Sequence, residues 1–176
     1  DRARGARKDA LLASEMDLFA DLVNQGVKSA FCGYGATEGE SEVIGLLTDG
    51  KRSERLTEGE EGVVLLQETP FYAESGGQQG DQGVLRTAES EFEVWDTQRP
   101  AEGLILHIGR VVHGELAEGA TAAAIVDAHR RKRLERHHSA THLLNGALRE
   151  LVSEQASQKG SLVAPDRLRF DFNHYE

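Results

Sequence analysis

Apolar and polar positions divide the chain into three textures. Between residue 6 and about residue 25, apolar side chains fall at Leu11, Leu12, Met16, Phe19, Leu22 and Val23, close to an i, i+4, i+7, i+11 rhythm. That spacing predicts an amphipathic helix stopped by Asn24-Gln25-Gly26. Its apolar stripe needs a partner, either the rest of the chain or a neighbouring domain. From about 27 to 126 the rhythm shortens to β-rich runs broken by glycine and acidic turns. Candidate strands are Val43–Leu47, Gly62–Leu66, Gly83–Arg86, Glu91–Trp95, Ile105–Val112 and Ala122–Val126, with turn signals at Asp49-Gly50, Glu58-Gly59, Arg99-Pro100 and Glu118-Gly119. Strands at roughly ten-residue spacing, without helical patterns between them, predict a small antiparallel barrel or sandwich. The alanine run from Ala120 to Ala124 suits helix as well as strand.

The last texture begins at Asp127, a natural N-cap, and predicts a long helix to about Val152. Leu134, Leu144, Leu148 and Leu151 are expected on its buried face. Beyond it, Arg167-Leu168-Arg169-Phe170-Asp171-Phe172 alternates strictly, which predicts a strand with Leu168, Phe170 and Phe172 on one side. Residues 153–176 are expected to pack loosely.

Composition narrows the class. In 176 residues, 39% are apolar and 28% charged, a globular balance that argues against wholesale disorder. No run approaches the roughly 18 apolar residues of a membrane-spanning helix. The first residue is Asp1 and no apolar targeting segment follows, so the chain is expected to be a piece of a longer protein. A single cysteine, Cys32, excludes a disulfide framework and suits a reducing cytoplasm. The net charge of -10 speaks against indiscriminate binding to a polyanion. The charge is unevenly spread, however. Residues 37–62 hold eight acids against three bases, whereas residues 128–150 hold Arg130, Arg131, Lys132, Arg133, Arg136 and Arg149 against Glu135 and Glu150. Such a stripe is either a solvated helix face or a local grip for phosphates.

Two motifs carry chemistry. His138 and His142, four apart on the predicted helix, project from one face and can meet at one ion. The position after His138 is Ser139 and not Glu, so the built-in base of a zinc peptidase is missing. Zinc takes four ligands, or three and a water, and the remaining candidates Cys32, His137 and His174 sit at no matching spacing. The plain alternative is two ordinary helix histidines. The second motif is Glu74-Ser75-Gly76-Gly77-Gln78-Gln79-Gly80-Asp81-Gln82-Gly83, after Thr69-Pro70-Phe71-Tyr72. Its glycines let a ligand approach the backbone, or serve a barrel corner that needs positive φ. It lacks the Gly-Lys-Ser/Thr of a phosphate loop and the Gly-x-Gly-x-x-Gly of a dinucleotide site. Cys32 reads as a small hydrophobe, Trp95 as core, and Ser139 as no partner for His138, because adjacent helix residues point to different faces.

Three strings together resemble one family. They are Thr69-Pro70-Phe71-Tyr72-Ala73-Glu74-Ser75-Gly76-Gly77-Gln78, then His138-Ser139-Ala140-Thr141-His142-Leu143-Leu144, then Ser157-Gln158-Lys159-Gly160-Ser161-Leu162-Val163 leading to Leu168-Arg169-Phe170-Asp171-Phe172. They are similar to the editing region of alanyl-tRNA synthetases, shared more distantly with free-standing alanyl-tRNA editing proteins and the editing half of threonyl-tRNA synthetases. The resemblance implies an α+β fold in three parts. Residues 1–28 are the end of the tRNA-recognition helices, 29–127 a small antiparallel β-barrel, and 128–176 a long helix and strand opening an α/β editing core. It implies His138 and His142 as zinc ligands, Thr69 and Gln78 as residues lining the editing pocket, and a Cys-x-x-x-His completing the zinc site. No such Cys-x-x-x-His follows His142 here, so the piece itself is expected to be inactive.

The implied reaction is hydrolysis of Ser-tRNA or Gly-tRNA mischarged on the alanine tRNA. Admitting serine while excluding alanine calls for hydrogen bonds to a hydroxyl. Arg130, Arg131, Arg133 and Lys159 then become contacts for the tRNA. ATP and magnesium would belong only to the parent's aminoacylation domain. The other readings are a free-standing hydrolase acting in trans, or a non-enzymatic RNA-binding module on the same barrel.

Overall fold

The structure, a computed structural model, describes residues 16–173. The first element is helix α1 (Met16–Asn24). Gly26, at φ 83°, ends it, and the amides of Gly26 and Val27 donate to the carbonyls of Val23 (3.0 Å) and Leu22 (3.0 Å). This is the paired C-terminal cap that a left-handed glycine permits. The expected positions Leu11 and Leu12 lie outside the described residues.

Ten strands follow: β1 (Ala30–Phe31), β2 (Glu38–Thr48), β3 (Lys51–Ser53), β4 (Arg55–Thr57), β5 (Glu61–Leu66), β6 (Glu68–Thr69), β7 (Gly83–Arg86), β8 (Ser90–Ala101), β9 (Leu104–Ala117) and β10 (Thr121–Val126). Six of them close a barrel in the order β10-β7-β8-β9-β5-β2 and back to β10, every contact antiparallel. Closure removes the open edges that a flat sheet would leave. The seam is β10, whose Ala124 faces Gly39 of β2 on one side and Leu85 of β7 on the other. The alanine run is therefore strand, with Ala122, Ala124 and Val126 buried in the barrel interior. Small side chains at alternate positions suit a closed, crowded interior.

The interior packs Val43, Leu46, Val64, Leu66, Phe71 and Phe92. A second cluster lies on the outer side, where Phe19 and Leu22 of α1 meet Leu47, Val63, Leu65, Leu104 and Leu106. Strand β5 is thus buried on both faces, Val64 and Leu66 inward, Val63 and Leu65 outward. The partner of the α1 stripe is the rest of the chain.

Helix α2 (Ala128–Leu151) starts at Asp127, whose side chain accepts from the Arg130 amide (2.9 Å). A hairpin of β11 (Ser157–Val163) and β12 (Leu168–Asn173) follows it. The alternating strand forms as expected, but its partner β11 was legible only as a motif. The buried face of α2 differs from expectation. Leu134 is buried together with Arg130, Arg131 and Thr141, while Leu144 and Leu151 are exposed. Four and seven residues apart, Arg130, Leu134 and Thr141 share one side of the helix, so polar partners on the barrel selected that side over the leucines. The hairpin is also better anchored than expected: Ala156, Val163 and Ala164 are buried, although Phe172 is exposed. Among the described residues no helix is long and apolar enough to cross a membrane.

Candidate functional site

The glycine string makes a tight corner. Ser75 and Gln78 exchange backbone hydrogen bonds (3.0 and 3.2 Å), and Gly76 (φ 60°) and Gly77 (φ 81°) between them both take positive φ. That is the two-residue hairpin turn in which glycine avoids the Cβ penalty. The turn presses on β11: the Val163 amide donates to the Gly77 carbonyl (2.7 Å) and the Gln79 amide to the Val163 carbonyl (3.1 Å). A Cβ on Gly77 would lie 2.5 Å from Ser161 Oγ and 2.6 Å from its carbonyl oxygen, so the close approach admits only glycine.

Residues 78–82 then run along the first three turns of α2 and bond to it one after another. The Asp127 amide donates to the Gln82 carbonyl (2.7 Å). Arg131 pairs with Asp81 and donates to the carbonyls of Pro70 (2.6 Å) and Gly33 (3.2 Å). Arg130 donates to the Gly80 carbonyl (2.7 Å) and to Gln79 Oε1 (3.1 Å). Burial lowers the Arg130 pKa from the ordinary arginine value, and Asp81, Asp96 and Asp127 oppose that shift. The last contact is His138, whose Nδ1 lies 2.8 Å from the side-chain oxygen of Gln78.

That contact sets the chemistry of the histidine pair. Because Gln78 Oε1 only accepts, His138 Nδ1 carries the proton and Nε2 keeps its lone pair. His142 Nε2 lies 3.0 Å from His138 Nε2, with ring centroids 4.9 Å apart. Two imidazole nitrogens bonded to one tetrahedral zinc sit about 3.3 Å apart, close to this separation, which is also that of an N–H···N hydrogen bond from His142 to His138. The buried Gln78 amide oxygen fixes the orientation of the His138 ring. Among the described residues no third histidine, cysteine or carboxylate joins them. Cys32 is exposed in the loop after β1, His137 Nδ1 turns away to the Ala164 carbonyl (2.6 Å), and His174 lies outside the described residues.

The structure brings His138, His142 and Gln78 together and sends Thr69 elsewhere. Thr69 is fully buried, with Oγ1 2.8 Å from His107 Nε2. His107 Nδ1 donates to the Val64 carbonyl (2.9 Å), so Nε2 accepts the threonine hydroxyl, and Thr69 Oγ1 accepts from the Phe71 amide (3.1 Å). That hydroxyl thus donates to His107 and accepts from Phe71 inside the barrel. Burial pushes the His107 pKa down to about 4, keeping the ring neutral. The basic stripe divides as well. Arg130 and Arg131 are buried and hydrogen-bonded to the barrel, while Arg133 and Lys159 are exposed.

Sequence reasoning missed Asp81 and His107. The only signal for His107 is a polar residue within the apolar run Ile105-Leu106-His107-Ile108. Asp81 carries no signal, because its partner lies 50 residues away.

Comparison with known proteins bears on the same residues. The family model described as tRNA synthetases class II (A) matches residues 1–130, through the barrel and the first turn of α2. The chain is 48% identical over 171 residues to the alanine–tRNA ligase of Shewanella loihica, covering 97% of this chain and 20% of that protein. It is 49% identical over 176 residues to that of Pseudomonas entomophila, covering 100% and 19%. The alanine–tRNA ligase of Chloroflexus aurantiacus is 48% identical over 173 residues, covering 96% and 19%. The chain spans about a fifth of the length of these curated relatives.

Proposed function

This chain belongs to the class II (A) tRNA synthetase family, and from that premise we propose that it is part of an alanine–tRNA ligase. Its role in that enzyme is editing, the hydrolysis of the ester linking serine or glycine to the alanine tRNA. The observation that supports this best is the convergence of His138 and His142 Nε2 at 3.0 Å, with Gln78 holding the first ring.

His138 and His142 would hold zinc, with the remaining ligands supplied from outside the described residues. When bound, such an ion polarises a carbonyl, readies a water or holds the substrate. The chain's own contribution is orientation. Gln78 keeps the proton on His138 Nδ1, and the buried contacts of residues 79–82 fix the rotation of α2 that aims both rings into one space. Water attacks the ester carbonyl, the acyl–oxygen bond breaks, and the tRNA hydroxyl takes the proton. Arg133 and Lys159, exposed on α2 and β11, would meet the phosphates of the tRNA. The 176-residue chain alone is expected to bind zinc weakly and to lack deacylation, because two imidazoles leave half of a tetrahedral shell to water.

The test is His142→Ala in the full-length ligase. Mischarged Ser-tRNA should accumulate while alanine charging stays nearly unchanged. A folded variant that clears Ser-tRNA at the wild-type rate removes the editing role from this pair.

A further inference from the structure

The loop after β1 carries a tyrosine that the chain's own packing does not explain. Tyr34 is 95% exposed, between Gly33 and Gly35. Its ring meets the half-buried Phe31 edge-on at 5.0 Å, and Phe31 meets the half-buried Tyr72 in the same manner at 6.0 Å. The backbone under these rings is tightly held. Arg131 bonds the carbonyls of Gly33 and Pro70 from inside, the Cys32 amide donates to the Thr69 carbonyl (2.9 Å), and the Tyr72 amide donates to Asp81 (2.7 Å). An exposed ring on so constrained a segment is presented to a ligand at little further entropic cost.

Flanked by glycines, the ring has only Phe31 as an aromatic contact of its own among the described residues. A lone accessible aromatic face suits a planar ligand. Tyr72 continues directly into the glycine corner, its hydroxyl 3.5 Å from the Ser75 carbonyl, so the cluster adjoins the turn that carries Gln78. The carboxylate two residues on, Glu74, accepts from Gln98 (2.9 Å). On α2, the exposed Lys132, Arg133 and Arg136 have no acidic partner among the described residues, so cations suited to a polyanion lie on the helix that Arg131 anchors.

We propose that Tyr34, backed by Phe31 and Tyr72, is a stacking platform for an unpaired base of single-stranded RNA. The proposal rests on the tRNA-handling role given above and adds to it the place where a nucleobase lies. Stacking on an aromatic face tolerates any base, and loss of the ring typically weakens binding by about tenfold or more per base.

The probe is a single-stranded RNA tetranucleotide with 2-aminopurine at its 3′ end, titrated into the 176-residue chain. Binding should quench the fluorophore. Tyr34→Ala should weaken binding by about tenfold with an unchanged salt slope, and Tyr34→Trp should retain it. Arg133→Ala should instead flatten the salt dependence by about one phosphate contact. If Tyr34→Ala binds as the wild type does while Arg133→Ala weakens binding, the platform is overturned and the tRNA reading stands. Absence of any quenching with the wild-type chain also overturns it, and the editing role is then judged separately by the His142→Ala deacylation assay.

Discussion

In the barrel, β10 finds β7 on one side and β2 on the other, and Val64, Leu66 and Phe92 are completely buried. Along α2 and the hairpin behind it, Leu143, Leu151 and Phe172 remain 75%, 80% and 40% exposed. The barrel pairs its strands with one another around a closed ring and packs an apolar interior of its own. The helix–hairpin half takes its position from the barrel through polar contacts: Asp81 with Arg131, Gly80 with Arg130 and Gln78 with His138. The histidine pair lies at this joint, and it depends on a stable platform on one side and a precise strap on the other.

Cutting the strap should have the largest effect. Arg131→Ala leaves Asp81 as a fully buried carboxylate without its cation, and breaking such a pair costs about 3–5 kcal/mol. Urea denaturation should show that loss, and Asp81→Asn combined with Arg131→Met should recover much of it. If Arg131→Ala matches the wild type, the strap does not hold the two halves together.

The next test concerns the barrel alone. The folded pKa of His107, about 4, lies below its unfolded value of about 6.5. Between these values the unfolded chain binds more protons, so stability is full above about pH 6.5 and declines as pH falls through about 4. At about 1.4 kcal/mol per unit the loss approaches about 3 kcal/mol. Stability measured against pH should show this slope in the wild type and a flatter one in His107→Gln.

A smaller effect separates the two glycines of the corner. Gly77→Ala meets Ser161 as well as positive φ and should cost about 2 kcal/mol. Gly76→Ala, with open space around its Cβ, should cost about 1 kcal/mol from positive φ alone. Equal melting temperatures for the two variants would mean that the turn does not press on β11. The smallest effect on stability belongs to Arg133→Ala and Lys159→Ala, which should stay within about 0.5 kcal/mol while weakening tRNA binding at low salt.

Much of this was legible in one dimension. The β-runs with turns between them anticipated the barrel strands, and Asp127 marked the start of α2. The i, i+4 spacing of His138 and His142 placed both on one helix face. Short-range rules suffice here because strand alternation, capping and helical periodicity act within a few residues. They failed for the buried face of α2. Leu144 and Leu151 look like core by composition, yet Arg130 and Arg131 occupy the interface, because backbone carbonyls and Asp81 on the barrel compensate their desolvation.

The sequence by itself determined the kinds of elements, the helix that carries the two histidines, and the glycines able to form a corner at positive φ. Tertiary structure alone decided that Gln78 is the residue meeting His138, that Thr69 turns inward to His107, and that Arg130 and Arg131 bond to the barrel as struts. These outcomes join residues from 38 to 98 positions apart. At such separations the partner of a buried charge or amide is chosen by which polar groups the closed barrel leaves unsatisfied at its surface, and no local pattern encodes that.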